Sequence, residues 1–122
     1  MYLYLDDDRE NRPTPPGWKR FVNAVDLIDF LEAMPENRIT KISLDNDLGA
    51  YQLEGYDVLK WLINHADTQH IDHINFHTAN IVARRGMLQS MSSAKRHNRF
   101  VNTRVHSQLP YSLKNPNSFY ER

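Results

Sequence analysis

Three polar segments of the sequence each follow a short apolar run. They are Asp6–Asp8, Asp45–Asp47 and His77–Asn80. If the apolar runs are parallel strands of an open α/β sheet, the three segments lie at its carboxyl edge, where such sheets bind ligands. Carboxylates beside a histidine, a hydroxyl and an amide suit a cation together with an anionic substrate. We therefore expect the three segments to form one site.

The carboxylates favour a hard cation. The sequence contains no cysteine, so we expect Asp6, Asp7 and Asp45 to hold Mg²⁺ or Mn²⁺ through oxygen atoms. Without a cation, the carboxylates would repel one another and their pKa values would rise. Asp47 either forms the following turn or supports the metal ligands from outside. Taken alone, Asp6–Asp8 is also compatible with a solvated turn.

The segment His77–Asn80 stands where a strand gives way to a helix. The free amides and the dipole of a helix N-terminus suit a phosphate. We expect Thr78 and Asn80 to bind phosphate oxygens, with helix capping as the alternative for either. His77 is a candidate general acid because the ordinary histidine pKa lies near neutrality. A purely structural histidine is the alternative.

Two arginines are candidates for bidentate phosphate binding, which suits the guanidinium group. Arg84 lies on the helix that follows Asn80, and Arg9 directly follows the acidic cluster. For either, a solvated surface role is the alternative. The basic cluster Lys95–Arg99 suggests contact with a nucleic acid backbone, with a solvated loop as its alternative.

A zinc site is a further alternative. His70, His73 and His77 have a spacing that a helix would bring to one face. Ile74 and Phe76 alternate with polar residues and favour a strand instead. In a strand, His73 and His77 share a face but lie far apart, which disfavours a shared metal ion.

The elements that position these residues alternate between strands and helices. The predicted strands are Met1–Leu5, Trp18–Asn23, Ile39–Leu44, His70–His77 and Phe100–Val105. The predicted helices run from Ala24 to a stop at Pro35, over Tyr56–Asn64, and from Ala79 with Ile81, Val82, Met87, Leu88 and Met91 on the inner face. The prolines of Arg9–Gly17 predict a loop in place of a first helix. The pattern predicts an α/β fold, an open parallel five-stranded sheet with helices on both faces.

Length and composition agree with this architecture. The 122 residues suit one domain over 1–122 with a polar C-terminal tail from about 108 to 122. The chain is 40% hydrophobic and 25% charged, which excludes a disordered class. The zero net charge conceals an excess of acids up to Trp61 and of bases after it. Without an apolar run of membrane-spanning length or a signal peptide, we expect a soluble, cytoplasmic protein.

The order of these residues resembles the receiver domain of two-component response regulators. The resemblance implies that Asp6 and Asp7 bind magnesium, that Asp45 accepts a phosphoryl group and that Thr78 is the switch hydroxyl. Receivers carry a lysine at the end of the fifth strand, and Thr103–Ser107 contains none.

A closer resemblance is to the cyclic-phosphate processing receiver domain family, whose fold is receiver-like (flavodoxin-like). It rests, over roughly residues 1 to 91, on Leu5–Arg9 with the prolines that follow, Ile42–Gly49, Gly55–Asp57, and His77–Asn80 with Arg84 and Met87. The chain departs from the family pattern at Asn46, where members often carry His, and at Ile81 and Ala83, where they often carry Pro and Gly.

The resemblance implies a metal-dependent phosphoesterase that acts on a cyclic nucleotide or on a 2′,3′-cyclic RNA end. A non-catalytic receiver-like module that binds a nucleotide or a protein partner is the alternative. A two-histidine phosphoesterase is excluded, because none of the six histidines is followed two residues later by Thr or Ser.

Overall fold

The computed structural model describes residues 1–33, 39–48, 53–65, 68–114 and 117–121. Its strands are β1 Tyr2–Leu5, β2 Lys19–Phe21, β3 Lys41–Leu44, β4 His73–Phe76 and β5 Arg104–His106. Its helices are α1 Ala24–Ala33, α2 Gly55–His65 and α3 Ile81–Arg96, with 3₁₀ turns at Thr68–His70 and Ser118–Tyr120. The strands form one parallel sheet in the order β2-β1-β3-β4-β5. This confirms the predicted α/β, receiver-like fold, with a loop in place of the first helix.

One face of the sheet carries the main apolar core. Leu3 and Leu5 of β1 alternate with Tyr4, and Leu3 and Leu5 belong to a buried cluster with apolar residues of α1, α2 and α3. The chain steps in one direction across the sheet from β2 to β3, β4 and β5. Right-handed crossovers therefore place all three helices on the same face.

The opposite face is covered by the proline-rich loop and the C-terminal tail. The connection from β1 to β2 runs in the opposite direction, so its loop lies on this second face. Trp18 packs there against Phe119 and Tyr120, and its indole N–H donates to the Tyr120 carbonyl at 3.0 Å. In the described ranges, the helical cover of this face is the 3₁₀ turn Ser118–Tyr120. The tail, for which the sequence shows no pattern, thus takes the place of the helices expected on this side.

Buried polar side chains lie between the sheet and the tail. Ser43 and Asn75 are fully buried on neighbouring strands. The Tyr120 hydroxyl lies 3.1 Å from Ser43 Oγ and 3.2 Å from Asn75 Nδ2. Because buried polar groups need partners, the tail tyrosine stabilises strand residues that an apolar helix would leave unsatisfied.

Two local predictions are wrong. Ile81 and Val82 are 54% and 81% exposed, because the first turn of α3 lies at the carboxyl edge; Met87 and Met91 are buried as predicted. The predicted strand start at Phe100 is also wrong. Phe100 has a φ of 53° and lies in a turn, so the extended chain begins only at Arg104.

Some predictions fall outside the described residues, namely the helix stop at Pro35 and the turn at Gly49. In the described ranges, no helix has the length and apolar character needed to cross a bilayer.

Replacing the tail aromatic Phe119 by alanine tests the cover of the second face. We expect Phe119→Ala to lower the free energy of unfolding by about 3 kcal/mol, because it removes a buried ring from the Trp18 and Tyr120 cluster. Urea denaturation measures the change. Leu113→Ala is the control, since Leu113 is 77% exposed on the same tail and its loss should cost less than about 0.5 kcal/mol. Equal effects of the two substitutions would contradict the assignment.

Candidate functional site

Three side chains from the ends of three strands meet at the carboxyl edge. Asp6 follows β1, Asp45 follows β3 and His77 follows β4. Each offers one ligating atom, and these atoms all lie within 4.8 Å of one another. The edge between β1 and β3 is also where the chain reverses its direction across the sheet, the usual ligand position in this topology.

Asp6 is a fully buried carboxylate with a complete set of partners. Oδ1 accepts the Asp8 amide at 2.8 Å, and Arg20 Nη2 lies 3.8 Å away. Oδ2 lies 3.0 Å from His77 Nε2 and 3.3 Å from Arg12 Nη1. Burial alone would raise the pKa of Asp6, but the His77 hydrogen bond, the Asp8 amide and the Arg12 charge lower it below its ordinary value. Asp6 is therefore ionised in the folded protein.

The pKa of Asp45 is shifted in the opposite direction, above its ordinary value. Its Oδ1 accepts the Asn46 amide at 2.8 Å and its Oδ2 lies 3.2 Å from Arg12 Nη1. The nearby Thr78 hydroxyl, like these two groups, favours the ionised carboxylate and lowers its pKa. Burial and the nearby charge of Asp6 nevertheless raise the pKa of Asp45 to about 6. Asp45 thus exchanges its proton near neutral pH.

The residue that sequence reasoning missed is Arg12. Its Nη1 bridges the carboxylates of Asp6 and Asp45 from the proline-rich loop, while Arg9, the predicted arginine, is solvent-exposed. The available signal was Asp8, whose carboxylate accepts the Asn11 amide and whose carbonyl accepts the Arg12 amide at 2.9 Å. This aspartate-initiated turn brings the loop back toward the strand ends.

His77 is buried at both ring nitrogens. Its ring stacks on Tyr4 with centroids 4.7 Å apart, and Nδ1 lies 2.7 Å from the Ser43 hydroxyl. Burial lowers the pKa of His77, against the opposing effect of Asp6. A neutral ring that donates from Nε2 to Asp6 and accepts at Nδ1 from Ser43 satisfies every partner. The histidine thus orients Asp6, with no ring nitrogen left for a substrate.

Thr78 and Asn80 both make local contacts. Thr78 is buried, its hydroxyl lowers the pKa of Asp45, and its Oγ1 accepts the Asn80 amide at 3.2 Å. Asn80 caps α3 by accepting the Ala83 amide at 3.0 Å, and its Nδ2 lies 3.5 Å from Asp47 Oδ2. Thr78 is therefore part of the Asp45 environment. Asn80 and the exposed Asp47 lie at the solvent side of the site.

Other candidates lie farther out. The Asp7 side chain is exposed and does not belong to the ligand group of Asp6, Asp45 and His77. Arg84 is half-buried on α3, and its backbone amide bonds to the carbonyl of the capping asparagine.

The three histidines considered for zinc are separated. His70 is exposed in a 3₁₀ turn, and His73 pairs instead with His106, with Nδ1 and Nε2 2.9 Å apart. In the basic cluster, Lys95 donates to the Thr103 carbonyl at 2.7 Å.

Gly55 sets the position of the Asp45 backbone. As the first residue of α2, it donates its amide to the Asn46 carbonyl at 3.1 Å. A Cβ at Gly55 would lie 1.8 Å from the Asp45 carbonyl oxygen. Asn46 adds two bonds to the same junction, because its side chain accepts the Tyr56 amide and donates to Glu54. Only glycine permits the helix to approach this closely.

The donor set fits a hard divalent cation. One carboxylate oxygen of Asp6 and one of Asp45 contact the same positively charged group, because Arg12 Nη1 lies within ion-pair distance of both. A single cation could therefore contact both oxygens. The raised pKa of Asp45 indicates that the guanidinium does not fully compensate the two negative charges. Carboxylate oxygens are the donors that Mg²⁺ and Mn²⁺ prefer.

Comparison with protein families gives one match. The model of the cyclic-phosphate processing receiver domain matches residues 1–93, which include β1 to β4 and most of α3. Neither the curated proteins nor the solved structures contain a significant match. The family pattern therefore covers Asp6, Arg12, Asp45 and His77 but ends before the C-terminal tail.

Gly55→Ala should disrupt the helix-strand junction and displace Asp45. We expect the free energy of unfolding to fall by at least about 2 kcal/mol, because the new methyl group meets backbone and not a flexible side chain. The matched control is Gly86→Ala within α3, where the Cβ meets Tyr56 at an ordinary 3.5 Å. That substitution should stabilise the helix by about 0.5–1 kcal/mol. Destabilisation of the same size in both variants would contradict the close approach.

The pKa of Asp45 predicts a pH dependence of stability. In metal-free buffer, the folded chain keeps the Asp45 proton up to about pH 6, whereas an unfolded aspartate releases it near pH 4. The wild type should therefore lose about 2 kcal/mol of stability relative to Asp45→Asn as the pH rises from 4.5 to 7.5. Urea denaturation of both proteins across this range measures the difference. Parallel curves would show that the pKa of Asp45 is unshifted.

Proposed function

Since the chain belongs to the cyclic-phosphate processing receiver domain family, we propose that it is a metal-dependent phosphoesterase that opens a cyclic phosphate. The substrate would be a cyclic nucleotide or a 2′,3′-cyclic RNA end. The observation that carries the proposal is the pair of buried carboxylates Asp6 and Asp45, which share one cation-binding point at the ligand edge of the sheet. A hydrolase of this class needs a cation next to a phosphate, and this edge offers the ligands for one.

Asp6 and Asp45 would hold Mg²⁺ or Mn²⁺, which supplies polarisation of a phosphoryl oxygen when bound. Binding requires Arg12 to leave the bridge between the carboxylates. Its side chain is about a quarter exposed and sits on a loop, so it can turn outward. There its guanidinium would meet the phosphate and stabilise the charge that develops during the reaction.

Asp45 is the proposed reactive group. The carboxylate oxygen of Asp45 that does not hold the cation would act as the general base and take a proton from an attacking water. Water would then add to phosphorus, one ring P–O bond would break, and the product would be a phosphomonoester. Alternatively, an Asp45 oxygen would attack phosphorus and break one ring P–O bond, and water would then hydrolyse the resulting aspartyl phosphate to release the same phosphomonoester.

The remaining residues support this step. His77 keeps Asp6 ionised and oriented, because Nε2 donates to the carboxylate while Nδ1 is held by Ser43. The proton for the leaving oxygen is therefore assigned to water. The Thr78 hydroxyl favours the ionised form of Asp45. Arg84 and Asn80 at the start of α3 remain the candidates for phosphate contacts on that side, with Arg9 as a more distant one.

A second candidate function is supported by the Arg12 bridge. The guanidinium compensates the two carboxylates in part without a metal ion. A non-catalytic module that binds a nucleotide or a protein partner would use the same edge. Calorimetry that shows nucleotide binding without turnover, unaffected by Asp45→Asn, would favour this function.

The decisive experiment measures hydrolysis of 2′,3′- and 3′,5′-cyclic nucleotides and of cyclic-ended RNA with Mg²⁺ or Mn²⁺. We expect turnover of at least one substrate and a loss of roughly 10²–10⁴-fold in kcat/KM for Asp45→Asn. The matched control is Asp29→Asn, which removes an exposed carboxylate on α1 and should leave kcat/KM unchanged. Absence of turnover across the whole panel would refute the phosphoesterase.

A further inference from the structure

A cleft of about 570 Å³ lies between the proline-rich loop and the C-terminal tail. Asn11 and Arg12 line it from the loop, and residues 108–112, 117 and 118 line it from the tail. The volume is within the range of small-molecule binding sites. Its tail wall lies beyond the residues that the family pattern matches.

The lining of the cleft is mixed polar and apolar. It includes the amides of Gln108 and Asn117, the aromatic ring of Tyr111 and the apolar Pro110. Among the described residues that line it, Arg12 is the one that carries a charge. Amides that recognise donor and acceptor edges and an aromatic ring that stacks are the groups with which proteins bind unpaired bases. An arginine adds recognition of an attached phosphate.

Arg12 connects the cleft to the carboxylate site. Arg12 lines the cleft, and its guanidinium contacts Asp6 and Asp45 at 3.3 and 3.2 Å. A ligand whose phosphate lies at the carboxylate edge therefore has the cleft directly beside that phosphate. A bare cyclic phosphate would leave this volume empty.

The tail wall is fixed to the sheet before any ligand arrives. The Gln108 amide donates to Asn75 Oδ1 at 2.6 Å, and Asn75 Nδ2 donates to the Gln108 carbonyl at 3.3 Å. The Tyr120 hydroxyl donates to the Leu109 carbonyl at 3.1 Å. Because these partners are buried strand and tail residues, the wall is preorganised, and ligand binding need not order it.

We propose that this cleft binds the nucleoside of the substrate, so that the ligand is a nucleoside carrying a cyclic phosphate. The inference rests on the function proposed above and assigns the nucleoside of that substrate to a binding site formed by the loop and the tail. Tyr111 provides stacking for the base, Gln108 Nε2 provides a hydrogen bond, and Arg12 provides the contact with the phosphate. Asn117 positions Gln108, because Asn117 Nδ2 donates to Gln108 Oε1 at 3.4 Å and Asn117 Oδ1 accepts the Phe119 amide at 3.0 Å. The nucleoside comes from a free nucleotide or from the 3′ end of an RNA.

The test compares two substrates in three variants. Tyr111→Ala and Gln108→Ala should each raise KM for adenosine 2′,3′-cyclic phosphate, by about tenfold for the tyrosine. Both should leave hydrolysis of glycerol 1,2-cyclic phosphate, which has no nucleoside, unchanged. The control Leu113→Ala alters an exposed tail residue outside the cleft and should change neither. Because Tyr111 also packs on Tyr120, the exposed Gln108 provides a variant with little effect on folding.

A binding measurement separates this inference from the proposed catalysis. Calorimetry with adenosine 3′-monophosphate and the Asp45→Asn protein should show binding that Tyr111→Ala weakens, even if no substrate is hydrolysed. If both cyclic substrates are hydrolysed equally well and Tyr111→Ala changes neither KM, the cleft proposal is wrong while the phosphoesterase stands.

A third substrate distinguishes the two sources of the nucleoside, RNA and a free nucleotide. A lower KM for a short oligoribonucleotide with a 2′,3′-cyclic end than for the mononucleotide supports a nucleoside from RNA. A KM that is equal or higher supports one from a free nucleotide.

Discussion

The buried negative charge of Asp6 is the constraint on which the rest of the structure depends. A carboxylate without solvent contact is stable only when charges and hydrogen bonds replace its water. Three separate parts of the chain provide them: the Asp8 amide from the turn after β1, Arg12 from the loop and His77 from the end of β4. The proline-rich loop must therefore fold back over the sheet edge, and β4 must end where its histidine reaches β1.

This requirement also explains the unusual second face of the sheet. His77 needs an acceptor or donor at its other nitrogen, which Ser43 provides, and Ser43 in turn contacts Asn75 and Tyr120. A polar chain of this kind is poorly compatible with the apolar side of an amphipathic helix. A tail that brings a tyrosine hydroxyl and backbone carbonyls satisfies it, and the same tail forms a wall of the cleft.

The sequence predicts the parts of this arrangement that depend on local pattern. Apolar runs that end in acids predict β1 and β3, and so place Asp6 and Asp45 at one edge. The role of Asn80 as the N-cap of α3 follows from the ordinary preference of asparagine for that position. Arg12 was missed because its position depends on how a proline-rich loop folds back, which no periodicity encodes. The burial of Tyr120 escapes prediction for a similar reason, since its partners lie 45 and 77 residues away along the chain.

The Arg12 bridge would make the protein its own competitor for the proposed cation. A tethered guanidinium has an effective concentration, set by its short loop, that a dissolved ion would have to overcome before it reached Asp6 and Asp45. Dilute or weakly binding ions would thereby be excluded, and each ion that entered would release the Arg12 guanidinium. Occupancy of the edge and the availability of a free guanidinium beside it would then be two results of a single exchange.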